Sequence, residues 1–75
     1  MKWHKMEKEL PYLNTLCLCR STVKRVYDNR LCYDYRVLIY YSKDDCWIDG
    51  DTAEKISLEN VTEWISIGEI EGRLQ

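Results

Sequence analysis

Between residues 33 and 42 the chain alternates. Tyr33, Tyr35, Val37, Ile39 and Tyr41 fall on one register, and Asp34, Arg36, Leu38, Tyr40 and Ser42 on the other. A period of two, rich in aromatic and β-branched residues, predicts a strand. Upstream, Leu16 and Leu18 alternate with Cys17 and Cys19, followed by Arg20-Ser21-Thr22-Val23-Lys24. Both faces are apolar first and polar later, which predicts a strand buried mid-fold that runs out into solvent. Asp28-Asn29 makes a turn after it. Lys43-Asp44-Asp45 makes a hairpin turn, and Cys46-Trp47-Ile48 a short return strand. Asp49-Gly50-Asp51 is the next turn, where Asp-Gly favours positive φ. A short first strand is expected around Trp3–Met6, followed by a loop, since Pro11 pushes Leu10 toward an extended conformation. Val61–Ile67 reads as the last strand, with Val61, Ile65 and Ile67 on one face and Trp64 on the other. Gly68 and Gly72 are expected to end it, leaving residues 73–75 frayed. Residues 53–60 fit either a strand, from Ile56 and Leu58, or one helical turn capped by Asp51 or Thr52.

These elements predict a mainly β fold. It is a small bent antiparallel sheet or barrel-like roll of about five strands, with at most one short helix near residues 53–60. The 75 residues make one domain, spanning 1–75. Six Tyr, three Trp and a single Ala speak against a long helix and against disorder. No apolar run approaches the roughly 20 residues of a membrane span, so no membrane partner is expected. A core this small must lean on its largest side chains. The expected core is Trp3, Leu10, Pro11, Val37, Ile39, Trp47, Val61 and Trp64. Trp3 and Trp64 are expected to meet as the first and last strands come together. An open sheet of this size would leave one aromatic face wet, so closure or dimerisation is expected.

The net charge of −2 hides an asymmetry. Residues 1–43 hold nine basic residues against four acidic ones, and residues 44–75 hold nine acidic against two basic. The simplest consequence is two halves whose fields partly cancel in one fold. Cys17, Cys19, Cys32 and Cys46 have no Cys-x-x-Cys spacing, and no apolar segment follows Met1-Lys2-Trp3-His4-Lys5. The reading is a reducing cytoplasm with free, buried thiols and no metal. His4 is the sole histidine, and no nucleophile motif, phosphate loop or cation-binding loop accompanies it. No catalytic residue and no cofactor are therefore assigned. Arg20, Arg25, Arg30, Tyr35, Arg36 and Tyr40 are the candidate binding residues. Tyr and Arg are enriched at protein interfaces, and together they also suit stacking and phosphate contacts with single-stranded nucleic acid.

Trp3, Leu10-Pro11 and Val61-Thr62-Glu63-Trp64 carry a resemblance. The spacing Trp-x6-Leu-Pro at the start and Val-Thr-x-Trp at the end resembles a small domain-of-unknown-function family of tailed phages, prophages and gut bacteria. Val37-Leu38-Ile39-Tyr40-Tyr41 followed by Trp47 is similar to that family's central strand, turn and Trp. Glu63 stands where the family has His, Ser66 where it has Pro, and His4 where it has an aliphatic residue. The resemblance implies a mobile-element context and no chemistry. The function expected is a non-enzymatic, cytoplasmic protein-interaction or accessory module of a phage or mobile element, its protein partner unknown. Single-stranded nucleic-acid binding through Tyr and Arg of residues 20–41 is the alternative.

Overall fold

The computed structural model describes residues 2–73, less the side chains of Ser42 and Arg73. Six antiparallel strands form one sheet among these residues. They are β1 (His4–Lys5), β2 (Leu16–Lys24), β3 (Leu31–Tyr41), β4 (Cys46–Asp49), β5 (Lys55–Ser57) and β6 (Glu63–Ser66). A short helix, α1, follows at Ile67–Arg73. The strand order is β1-β6-β2-β3-β4-β5. The first and last strands are thus neighbours, with His4 opposite Trp64. The mainly β fold expected from the alternation is the one observed.

The sheet must curl. β5 lies at one edge, yet β6 pairs with β2, four strand spacings away. On a flat sheet that is about 19 Å. Residues 58–62 make the connection, and Leu58–Asn60 are wound in a 3-10 turn that rises only about 2 Å per residue. The connection is too short for a flat path, so it crosses the inside of the bend. There the Ser21 hydroxyl donates to the Asn60 carbonyl, and Thr62 N–H donates to the Arg20 carbonyl at 3.0 Å. The roll closes incompletely, leaving a groove of about 410 Å³ bordered by Ser21, Val23, Arg36, Ile56 and Ser57.

The crossing defines an inner and an outer face. The inner face carries the core: Cys17, Cys19, Leu38, Tyr40, Trp47, Ile56, Val61 and Trp64. Tyr40 meets Trp47 edge-on, ring centroids 5.4 Å apart. The loop after β1 covers Trp64, whose indole N–H donates to the Glu9 carbonyl at 3.0 Å, and Pro11 is buried there. Trp47 N–H is buried without a partner among the described residues.

Several expectations need correction. Leu10 is 54% exposed and Val37 51% exposed, so neither is core. Leu10 lies in the covering loop just before Pro11, and Val37 faces outward between the inward Arg36 and Leu38. Ile39 and Trp3 are half-buried on the outer face. Trp3 therefore lies across the sheet from Trp64, and His4 takes the place beside Trp64 instead, 4.3 Å away. Tyr40 is buried at 3% exposure and cannot be a surface contact. Val61 belongs with Trp64 in the core cluster, because the strand starts only at Glu63 and the turn rotates Val61 inward. Residues 53–60 hold both expected forms in succession, a strand and one 3-10 turn. Positive φ occurs at Ala53 (60°) rather than at Gly50.

The end of the chain differs most. Gly68 does not stop the chain after β6; α1 starts there. Ser66-Ile67-Gly68-Glu69 is a Ser-x-x-Glu start signal. The Ser66 hydroxyl accepts the Glu69 N–H at 3.1 Å and donates to its carboxylate at 3.1 Å. Leu74 and Gln75, expected to be frayed, lie outside the described residues.

Candidate functional site

Cross-strand partners point to the same side of a sheet. The β2–β3 register therefore sorts the surface residue by residue. Leu16 pairs with Ile39, Leu18 with Val37, Arg20 with Tyr35, Thr22 with Tyr33 and Lys24 with Leu31. All ten face outward. Among them Leu16 is 43% exposed, Tyr33 48%, Tyr35 53% and Val37 51%. Ile48, opposite Ile39, extends the patch onto β4. Every large apolar residue that β2 and β3 expose lies on this face, except Val23. The alternation at residues 33–42 is real, but the register is inverted for Val37, Leu38 and Tyr40 relative to a core built on Val37.

Trp3 roofs one half of this face. Continuing the β1–β6 register by one residue sets Trp3 opposite Ile65, which is fully buried. The indole reaches on across β6 and β2 to Tyr35, centroids 6.2 Å apart. The Arg20 guanidinium sits 4.1 Å from the Trp3 ring and 4.3 Å from the Tyr33 ring. Its Nε donates to Glu63 at 2.9 Å, and both side chains are mostly buried. Each ring attracts the cation through its π face. The result is a rigid, charge-balanced cluster of Trp3, Arg20, Tyr33, Tyr35 and Glu63. Beside it opens a recess of about 770 Å³, lined by Lys5, Met6, Leu10, Leu58 and Thr62 among others. The other half of the outer face is roofless: Leu16, Leu18, Val37, Ile39 and Ile48.

The six candidate binding residues do not converge. Arg20 and Tyr35 share the cluster just described. Arg36 is on the opposite side, paired with Cys19 in register. Arg25 and Arg30 lie in the β2–β3 hairpin loop, where Arg25 binds Asp28 at 2.6 Å and stacks on Tyr27. Tyr40 is interior. Residue type alone missed Trp3 and the aliphatic row; Tyr33 enters only with the nucleic-acid alternative of residues 20–41. The signal for the row was present, because Leu16, Leu18, Val37 and Ile39 are two alternating pairs.

A second cluster ties the termini together on the inner side. His4 Nδ1 lies 2.8 Å from Glu9 and its Nε2 3.0 Å from Glu69. A ring with a carboxylate at each nitrogen is best satisfied as the imidazolium, which donates from both. The Glu9 bond raises its pKa above the ordinary 6.5, partial burial opposes that rise, and Glu69 adds to it. The cysteines offer no comparable chemistry. Cys17 and Cys19 are buried free thiols. Burial pushes Cys17 up to about 12 and raises Cys19 as well, keeping both protonated near neutral pH. Among the described residues no three His, Cys, Asp or Glu side chains group as metal ligands. No helix among them is long and apolar enough to cross a membrane. No family model, no curated protein and no solved structure matches the chain.

Proposed function

We propose that this protein is a non-enzymatic interaction module that docks on another protein through the outer face of β2–β3. The observation that carries the reading is the sorting of exposed Leu16, Tyr33, Tyr35 and Val37 to one side of the sheet. Scattered apolar residues need no explanation on a surface, whereas a contiguous row of them does. The sheet edges are poorer docking sites. β1 has two residues, and its Lys5 carbonyl already accepts from Lys8 and Glu9 N–H groups at 3.0 Å. β5 has three residues. Strand addition needs a longer free edge than either. An accessory role in a phage or mobile element, in the cytoplasm, rests on the sequence resemblance.

Single-stranded nucleic acid is the lesser reading. Trp3, Tyr33 and Tyr35 give it a stacking surface, but Arg20 is already matched to Glu63. Arg36, Arg25 and Arg30 lie elsewhere. A photo-reactive amino acid at position 37 tests the choice, with position 23 as a control of similar exposure. In native lysate, position 37 should trap protein and position 23 should not. Equal trapping from both positions, or nucleic acid trapped at 37, overturns the reading.

A further inference from the structure

We propose that the occupant of the outer face is the same face of a second copy of this chain. The inference rests on the docking surface proposed above and names its partner. Three features carry it.

The first is area. The outer face runs about 27 Å from the Leu16–Ile39 pair to the Lys24–Leu31 pair, and about 20 Å across β6, β2, β3 and β4 with their side chains. Because this face lies on the outside of the bend, only its crest meets a copy of itself, and less than about 1,000 Å² in total is buried, the range of a weak interface. Two antiparallel sheets stack well at about 10 Å through interleaved aliphatic side chains. Leu16, Leu18, Val37, Ile39 and Ile48 are of that kind.

The second is the thinness of the chain's own core. Ten buried hydrophobic residues serve the described chain, and three of them are cysteines. All four cysteines are free. Domains of this size commonly need a disulfide, a metal or a second subunit. A second subunit is the staple the outer face is shaped to receive.

The third is charge. At the centre of the face Arg20 and Glu63 neutralise one another, so two copies meet without like charges opposed. The ends of the face differ in sign. The β2–β3 loop end carries Lys24, Arg25 and Arg30 against Asp28. The other end carries Asp44 and Asp45 in the β3–β4 turn and Glu71 in α1, against Lys43 and Lys55 among the described side chains, while Glu69 is taken up by His4 on the inner side. A two-fold axis lying in the interface and crossing the strands sets each basic end over the partner's acidic end. This turns the uneven charge of the two halves of the sequence into a means of orientation. Isologous contacts of this kind close at two subunits and do not propagate into fibres.

An interface of this size is weak, with half-dissociation expected at roughly 10–100 µM. Sedimentation velocity from about 1 µM to about 500 µM tests it. Wild-type protein should pass from monomer to dimer across that range. Val37→Asp, which buries a charge only in the dimer, should stay monomeric with an unchanged circular dichroism spectrum. Val23→Asp should dimerise like wild type. Leu16→Arg repeats the test if Val37→Asp unfolds. A wild type monomeric at every concentration, or Val37→Asp and Leu16→Arg proteins that dimerise normally, overturns the inference. A monomeric wild type that still traps a different protein from position 37 overturns the second copy alone and leaves the docking surface standing.

Discussion

Val37 and Leu38 are adjacent in one strand, yet they live in different environments. Leu38 is 1% exposed against Cys17, and Val37 is 51% exposed beside Leu18. The whole sheet divides the same way. The inner face is covered by the chain itself, through the 3-10 crossing, the loop behind β1 and the His4–Glu69 contact, except at the groove bordered by Ser21 and Arg36. On the outer face, among the described residues, the indole of Trp3 covers Ile65 and Cys46 is buried at the β3–β4 end, while Leu16 and Val37 stay exposed. The difference teaches that apolar composition alone does not mark a core. What marks it is which face the connections cross.

Breaking the inner face should cost most. Trp47→Ala removes the largest fully buried side chain, and about 3–5 kcal/mol of destabilisation is expected. That approaches the whole stability of a domain this small, so urea titration should find the variant largely unfolded. Trp47→Phe should cost much less, since its indole N–H has no partner to lose. The two terminal tryptophans sharpen the contrast. Trp64→Ala should cost about 3 kcal/mol, whereas Trp3→Ala should cost roughly 1–2 kcal/mol, because Trp3 covers only Ile65 and the Arg20 cluster. Equal losses in thermal unfolding would erase the distinction between the faces.

How much of this was legible in the sequence depends on which interaction decides each point. Period two is local, so β2, β3 and β4 could be read from Leu16–Lys24, Tyr33–Tyr41 and Cys46-Trp47-Ile48. Which side faces in is not local. Val37 and Leu38 are equally apolar, and the choice between them is made by a crossing from β5 to β6 some twenty residues later. Leu10 was misplaced because proline fixes an extended loop without saying which of its residues turns inward; Pro11 did. The helix was legible and overlooked, since Ser66-x-x-Glu69 marks a helix start more strongly than Gly68 marks an end. The candidate site was half visible. Arg20 and Tyr35 were named, but their company of Trp3 and Glu63 comes from the residue before β1 and from β6, which no spacing along the chain connects to β2.

A middle-sized effect is expected in the cluster that roofs the outer face. Glu63→Gln keeps the shape of the Arg20 contact and removes its countercharge. A loss of about 1–2 kcal/mol is expected, because both groups are mostly buried and Arg20 would be left unpaired.

A small effect concerns His4. Its folded pKa is raised above 6.5, led by the bond to Glu9. The stabilisation is therefore complete below 6.5 and is lost as pH rises through the raised value. Glu69 is lowered: partial burial opposes this, and bonds from His4 and Ser66 outweigh it. Its contribution disappears only in acid, as pH falls through the lowered value. Urea unfolding at about pH 6 and about pH 8.5 should show wild type losing less than about 1 kcal/mol, given two solvent-exposed carboxylates. His4→Gln should remove that difference. A difference that survives the substitution assigns it to another group.

The central claim is that one face is covered by the chain and the other is left for a partner. Paired equilibrium unfolding of Val37→Ala and Leu38→Ala, at low micromolar concentration where the chain is alone, tests it most directly. Leu38→Ala should lose about 2–5 kcal/mol and Val37→Ala less than about 0.5 kcal/mol. Comparable losses at the two positions would mean that the outer face is already covered within the single chain, and would contradict the account.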